Sequence, residues 1–334
     1  MKQKRKAGER ETMKRYRMHA FVIAIALTLA MRLLLAEAGP VKRIGILAFS
    51  DESRYSDATR GVIDQLKVEG FVEPGVKFIK ETAGANKAKA GELIKQFAAA
   101  KMDLIVTQGT SATVPVAREI KDVPIVFSMV YDPVEAGIAK DWKSSGNNTT
   151  GATTKIPMSS LLDSLKAFAP VNDLSVLYSP GEKNSEAQLR DLQKIQAMHR
   201  ITVIPVPITE KEELRKILPE VVRTSDAIYV TGSNLVDSQV SMIVEMATKG
   251  KVPTISHLED LVEKGVLIGV CINPYNLGRL AGEKAASVLR GAKPSSIPIE
   301  TLKESDVILN MRTAIAGGFR IPPEYIKTVK RKIE

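Results

Sequence analysis

Six short runs in this chain place small hydroxyl and amide side chains directly after an apolar stretch. They are Ser50-Asp51, Gln108-Gly109-Thr110-Ser111, Tyr131-Asp132-Pro133, the run SPGEKNS at 179–185, Thr231-Gly232-Ser233-Asn234 and Ser256-His257. The chemistry such groups do best is hydrogen bonding. Where a helix follows, its first turn adds unpaired backbone N–H groups and the positive end of the helix dipole, a cradle for a carboxylate or another anion. The same residue types are ordinary helix caps without any ligand, so the argument rests on several of them facing one cleft. On that reading the solute contacts are Ser50, Gln108, Thr110, Ser111, Asp132, Asn184, Ser185, Asn234, Ser256 and Asn273. Thr110 and Ser111 are placed to meet a carboxylate, and Asp132 to meet a cation. Stacking on a ligand ring would fall to Phe49, Tyr55, Tyr131 or Tyr178, for each of which core packing is the competing role.

Nothing comparable is found for catalysis. The chain has no GxSxG elbow, no Walker A loop, no GxGxxG after a strand and no HExxH. His19 lies in the leader, His199 reads as a surface residue at a helix end, and His257 follows a strand end. Cys271 sits inside the apolar run VLIGVCI and reads as an inert buried thiol. With one cysteine and three histidines, a disulfide framework and a cysteine-based zinc site are excluded. We expect no metal, no cofactor and no enzymatic activity.

The 334 residues and 44% hydrophobic content suit one large domain or two ordinary ones. The net charge of +10 is uneven: residues 1–38 hold nine basic side chains against three acidic ones, a surplus of six, which leaves a mild +4 on 39–334. Nucleic acid is therefore not an expected partner. Residues 1–38 read as a secretory signal, with basic Lys14, Arg15 and Arg17, an apolar stretch over 20–31 and Ala36-Glu37-Ala38 before a cut at Gly39. Met13 is a plausible start, and an uncleaved anchor over 20–36, interrupted by Arg32, is the competing reading.

The elements that must position the candidate residues alternate. Strands are expected at 41–49, 76–82, 103–107, 125–130, 174–178, 202–206, 227–230, 254–256 and 266–272. Helices are expected at 58–69, 88–100, 186–198, 210–222, 236–249 and 275–290. That alternation implies βαβ units and parallel sheets covered on both faces, with ligands at the carboxyl ends of the strands. A closed eight-stranded barrel is the rival architecture. The polar, Gly-rich NNTTGATT at 147–154 favours two lobes joined by a crossover.

Several segments also match a family. DLIVTQGTSAT, PIVFSMVYDPVEAGI, NNTTGAT, LYSPGEKNSEAQ, the segment from NPYNLGRLAGEKAASVLRG to SIPIE, and DVILNMRTAIAGGFRIPPE resemble, in order, segments of the ABC-transporter substrate-binding proteins that include tryptophan- and tyrosine-type binders. The resemblance covers nearly all of 41–323. It implies the type I periplasmic-binding-protein fold, α/β and two-lobed, each lobe a parallel sheet flanked by helices with the ligand cleft between them. Lobe 1 would comprise 41–153 plus 273–298, and lobe 2 154–272 plus 299–334. The implied function is extracytoplasmic capture of an amino acid or a related small polar or aromatic solute by hinge closure, and delivery to an ABC permease by a monomer. Thr231-Gly232-Ser233-Asn234 and Ile272-Asn273-Pro274-Tyr275 stand where the family carries acidic residues, which leaves the ligand class open. A membrane-anchored sensory domain of the same fold is the alternative. A transcription regulator's effector core would need a DNA-binding motif where the apolar leader stands, and an α/β enzyme would need a catalytic constellation that is missing.

Overall fold

Continuous runs of Ile, Leu and Val make poor half-exposed strands and good central ones, because both faces of a parallel sheet are covered by helices. The computed structural model describes residues 40–334, together with Met18 and Ile23. The expected leader therefore lies outside the described residues. Among the described residues, no helix is long and apolar enough to cross a membrane. By contact the chain divides into two units: Arg43–Val72 with Phe78–Glu334 form the larger, and Met1–Lys42 with Glu73–Lys77 the smaller. In the smaller unit the Lys42 amide donates to the Gly75 carbonyl. All that follows concerns the larger unit.

The first sheet contains β1 (Lys42–Ala48), β2 (Val76–Thr82), β3 (Leu104–Gln108), β4 (Ile125–Val130) and β5 (Thr149–Thr153), in the order β2-β1-β3-β4-β5. The β1–β3, β3–β4 and β4–β5 pairs are parallel. Every residue of β3, β4 and β5 is buried, whereas the edge strand β2 is only partly covered. Helices α1 (Ser53–Val68), α2 (Lys87–Ala99) and α3 (Thr110–Glu119) connect them. The second sheet contains β6 (Asp173–Tyr178), β7 (Thr202–Pro207), β8 (Ala227–Val230), β9 (Thr254–Ser256), β10 (Ile268–Cys271), β11 (Asp306–Asn310) and β12 (Val329–Ile333), in the order β12-β11-β10-β9-β8-β6-β7. Its body, β6 to β10, is parallel; β11 joins antiparallel to β10, and β12 extends the far edge. Helices α4 (Met158–Phe168), α5 (Lys183–Ile195), α6 (Lys211–Thr224), α7 (Asn234–Asp237), α8 (Val240–Lys249) and α9 (Glu259–Glu263) belong with it.

The chain then returns to the first sheet. Helix α10 (Pro274–Leu289) lies against α1 so closely that a Cβ on Gly278 would stand 2.1 Å from the Ala58 carbonyl oxygen, and one on Gly61 2.1 Å from that of Tyr275. Two backbones can approach this far only where side chains are missing. This seam fixes the first turn of α1, which carries Arg54 and Tyr55. A second departure runs beside the first: the Thr153 N–H donates to the Glu300 carbonyl (2.9 Å), and the Thr301 hydroxyl to the Thr153 carbonyl (2.8 Å). Helices α11 (Met311–Gly317) and α12 (Pro323–Thr328) close the chain around β12.

Candidate functional site

The carboxyl ends of the two sheets face each other across a narrow cavity. On the first side its wall is Arg54, Tyr55, Thr110, Ser111, Met129 and Tyr131, with Thr154 from the crossover. Gly109, between β3 and α3, has φ +84°, and a Cβ there would meet the Tyr55 hydroxyl at 2.6 Å. Only glycine fits both the dihedral and the space, so Tyr55 lies over the start of α3. Being glycine, residue 109 provides no capping side chain for α3. The Thr110 hydroxyl, 6% exposed as a residue, has no partner, and neither have the Gln108 amide and the Ser128 hydroxyl behind it. Buried polar groups without partners are rare and call for a partner such as water, an ion or a ligand; Thr153, His199 and Asp260, outside the cavity wall, each hold one too. Met129 sits at φ +59° where the β4–β5 register shifts, an uncommon backbone for a non-glycine residue. The bulge turns the end of β4 into the cavity wall.

On the second side stand Asn184 and Gln188, one turn apart on α5, with Gly232, His257 and Leu258. Gln188 Oε1 accepts from the Gly232 N–H (3.0 Å) and from the Tyr229 hydroxyl (3.3 Å). Tyr229 is also 2.8 Å from His257 Nδ1, and the His257 ring meets Tyr131 edge-on at 5.3 Å. Burial, with Arg54 nearby, holds the His257 imidazole down at about 3, so it is neutral at physiological pH. Burial also pushes the Tyr131 and Tyr229 phenols well above their ordinary value, so both remain protonated donors.

Beside that ring contact, polar contacts join the two sides. Asn234 Nδ2 donates to Ser111 Oγ at 2.9 Å. Arg54, 3% exposed, makes ion pairs with Asp237 (2.7 Å) and Asp260 (2.5 Å), which Lys264 also approaches at 2.6 and 3.7 Å. Burial works against the Arg54 charge, but the Asp260 and Asp237 carboxylates hold its pKa well above its usual value. At the opposite rim Lys155 bridges Asp132 (2.6 Å) and Asp191 (2.8 Å), Tyr131 donates to Asp191 (3.0 Å), and Glu135 accepts from Arg190 and Lys194. Burial opposes the Lys155 charge too, and its two carboxylate partners raise it overall.

Of the residues singled out in the sequence, Thr110, Ser111 and Asn184 line the cavity, Gln108 lies directly behind it, and Asn234 spans it. The others are engaged elsewhere. Asp132 accepts from the Val134 and Glu135 amides as well as from Lys155. Ser185 bonds to Ser179 and Glu182 backbone, and Ser256 to the Val230 carbonyl. Asn273 caps α10 by accepting from the Asn276 amide at 3.0 Å. Ser50 donates to the Glu52 carboxylate and lines a wider open groove between α1 and the β1–β2 edge, with Thr59, Arg60 and Lys80. That groove is the roomier of the two, but its walls come from the first sheet's side alone and hold none of the partnerless buried groups, so we place the site in the cleft. Among the ring candidates, Tyr55 and Tyr131 reach the cavity, and Phe49 is in the first core. Arg54, Met129, Thr154, Gln188 and Leu258 were not anticipated, whereas Gly232 belongs to the strand-end run at 231–234 already singled out. Gln188 was the most accessible of these, standing four residues after Asn184 on one helix face.

Comparison with known proteins bears on the family and the fold. A tyrosine-binding protein of Clostridioides difficile is 28% identical over 86% of this chain and 85% of its own. A Streptococcus pneumoniae ABC domain in complex with L-Trp superposes with a TM-score of 0.82 at 28% identity, covering 88% of this chain and all of that one. The ligand-free, open form of a Clostridium difficile substrate-binding protein with adhesive properties gives 0.71 at 29% identity, over 88% and all of the two chains. The two α/β domains have the type I periplasmic-binding-protein fold, and the family is one of binding proteins, not enzymes. The ABC transporter substrate binding protein family matches residues 43–331, and the chain belongs to it.

Proposed function

We propose that this protein captures a small solute outside the cytoplasm by closing two lobes around it, and delivers it as a monomer to an ABC permease in the membrane. Lobe 1 is 41–153 with 273–298, lobe 2 is 154–272 with 299–334, and the hinge lies at the adjoining passages near Thr153 and Glu300. The solute is an amino acid or a related small polar or aromatic compound, in line with the tyrosine and L-Trp binders among the relatives. The carrying observation is the uncapped start of α3, with the partnerless Thr110 hydroxyl, facing Asn184 and Gln188 across the cleft. Lobe 1 meets the solute first, at Thr110 and Ser111. Lobe 2 then brings up Asn184, Gln188 and Asn234, and the ion pairs of Arg54 and Lys155 form as the lobes meet. A ligand can shift this equilibrium only by touching both lobes in the closed form.

A thermal-shift screen of the purified chain against amino acids, organic acids, nucleosides and sugars tests the reading. Binding to the native state alone at a hundred times Kd adds about 2.7 kcal/mol and raises the melting temperature. Thr110→Ala and Gln188→Ala should abolish the shift without lowering the unliganded melting temperature by more than a few degrees. An unchanged shift in both variants would place the solute elsewhere.

A further inference from the structure

The charge inventory of the cleft is one-sided. Of the residues that form the cavity wall, Arg54 is the one cation, and no Asp or Glu is among them. The acids behind the wall are already engaged. Asp237 and Asp260 hold Arg54 and Lys264, although Asp260, which lies outside the cavity wall, keeps Oδ1 without a partner. Asp191 holds Lys155 and accepts from Tyr131, and Asp132 holds Lys155 and two backbone amides. Glu182, two residues before Asn184, has its carboxylate taken by the Ser233 hydroxyl and by the Asn234 amide and side chain at 2.8–3.0 Å. Donors facing the cavity are plentiful by contrast. They include the uncapped first turn of α3, and Thr110, 94% buried, whose hydroxyl has no partner. Gln188 uses its carbonyl oxygen on Gly232 and Tyr229, and its amide NH₂ has no hydrogen-bond partner among the described residues.

The cavity of about 20 Å³ is close to the room of one water, so the lobes must part further to admit a solute. A carboxylate admitted between them is met by helix N–H groups and neutral donors. An ammonium closed in beside Arg54 finds no carboxylate in the cavity wall to pair with, and an unpaired buried charge is costly. We propose that the solute is a carboxylate without an ammonium group, a 2-hydroxy or 2-keto acid with a small apolar or aromatic body, and that the site discriminates against the matching amino acid. The body would lie against Met129, Leu258 and the Tyr55 and Tyr131 rings. This inference rests on the solute-binding reading above and narrows it.

The test is calorimetric titration of the full chain, freed of carried-over solute by unfolding and refolding. The probes are matched sets: L-phenylalanine, 3-phenyllactate and phenylpyruvate; L-leucine, 2-hydroxy-4-methylpentanoate and its 2-keto analogue. In at least one set the acid lacking nitrogen should bind ten-fold or more tighter than the amino acid. An amino acid that binds as tightly as its partners, or tighter, overturns the inference and leaves solute capture standing. So does binding of a sugar or nucleoside with none of these acids. Binding of no probe of any class overturns both. Gln188→Glu keeps one oxygen for Gly232 and Tyr229 and turns the other into the missing acid. Its preference should move toward the amino acid by ten-fold or more, and an unchanged preference in a variant of unchanged melting temperature counts against the proposal.

Discussion

The two rims of the cleft are joined by ion clusters of similar composition and opposite physical character. At one rim Arg54, Asp237 and Asp260 are each 3% exposed or less, and the pairs lie at 2.5 and 2.7 Å. At the other, Glu135 meets Arg190 and Lys194, which are 42% and 60% exposed, with the better-covered Lys155 between them and the cavity. Coulomb attraction grows as water leaves, but so does the cost of stranding a charge. The buried rim therefore resembles a catch that is either fully made or fully undone, while the wet rim lends a weak, salt-sensitive preference. One domain contributes the basic partner at the first rim and the acidic partner Glu135 at the second, so neither domain is a uniformly charged face.

Breaking the buried rim should have the largest effect. Arg54→Ala leaves Asp237 and Asp260 with Lys264 alone, and removing one partner of a buried pair costs about 3–5 kcal/mol. The cost falls on the closed form, because parting the lobes returns both carboxylates to water. X-ray scattering of the variant should show a larger radius of gyration than the wild type. Indistinguishable scattering curves would remove Arg54 from any part in holding the lobes together. Arg54→Lys keeps the charge without the two-pronged geometry and should fall between.

The second effect lies midway between the rims, at His257, and is read by pH. The folded value of about 3 is below the ordinary 6.5. Between those values the unfolded chain takes up a proton that the folded chain refuses. Stability is therefore complete above pH 6.5 and falls toward pH 3 by about 1.4 kcal/mol per unit. At pH 5 that amounts to roughly 2 kcal/mol. Burial raises Glu259 and Asp260 above their ordinary values, so the histidine contribution is read as the difference between wild type and His257→Gln in urea unfolding. A difference that does not vary between pH 7 and pH 4 would mean that His257 is solvated in the native state.

The contrast between the rims was not readable in the sequence, although the architecture was. Strands 76–82, 125–130, 227–230 and 254–256 have the expected bounds, because buried parallel strands are marked by unbroken apolar runs between turn residues. The helix expected at 236–249 is two, α7 and α8, since Ser238 and Gln239 interrupt it. Helix α4 was not assigned, coming straight after the polar crossover. Thr110, Ser111 and Asn184 were legible because strand ends point at clefts in any such sheet. Arg54 was not. The helix holding it was expected to start at 58, as Arg54 and Tyr55 add nothing to its apolar stripe. Arg54 is buried against acids of the opposite domain and Tyr55 against Gly109 at the start of α3, and no local periodicity encodes either contact. Asp237 and Asp260 likewise look like charges on solvated helices until Arg54 is set against them.

Lys155 should show an intermediate effect. It is 28% exposed, less than Arg190 and Lys194 on the same rim, and touches Asp132 and Asp191 at once. Lys155→Met leaves those carboxylates with other donors: the Val134 and Glu135 amides for Asp132, and Tyr131 and Lys194 for Asp191. The loss should be about 1–2 kcal/mol, well under that of Arg54→Ala. It should also appear in Asp191, whose carboxyl burial tends to raise but Lys155 and Lys194 hold below its usual value. NMR titration of the variant should find Asp191 shifted upward. A loss equal to that of Arg54→Ala would mean that the second rim is as dry as the first.

The smallest effect belongs to Glu135, and its value lies in its salt dependence. Glu135→Ala removes contacts to two side chains that are largely in water, where such pairs contribute about 0–1 kcal/mol. In low salt its scattering curve should move slightly toward the open form. In 0.5 M salt the Debye length falls to roughly 4 Å, and the variant and wild type should coincide. Arg54→Ala should keep its full difference there, because its partners are reached by little solvent. If both variants responded to salt alike, the two rims would be one kind of contact, and the catch would have to be sought in the uncharged bond between Asn234 and Ser111.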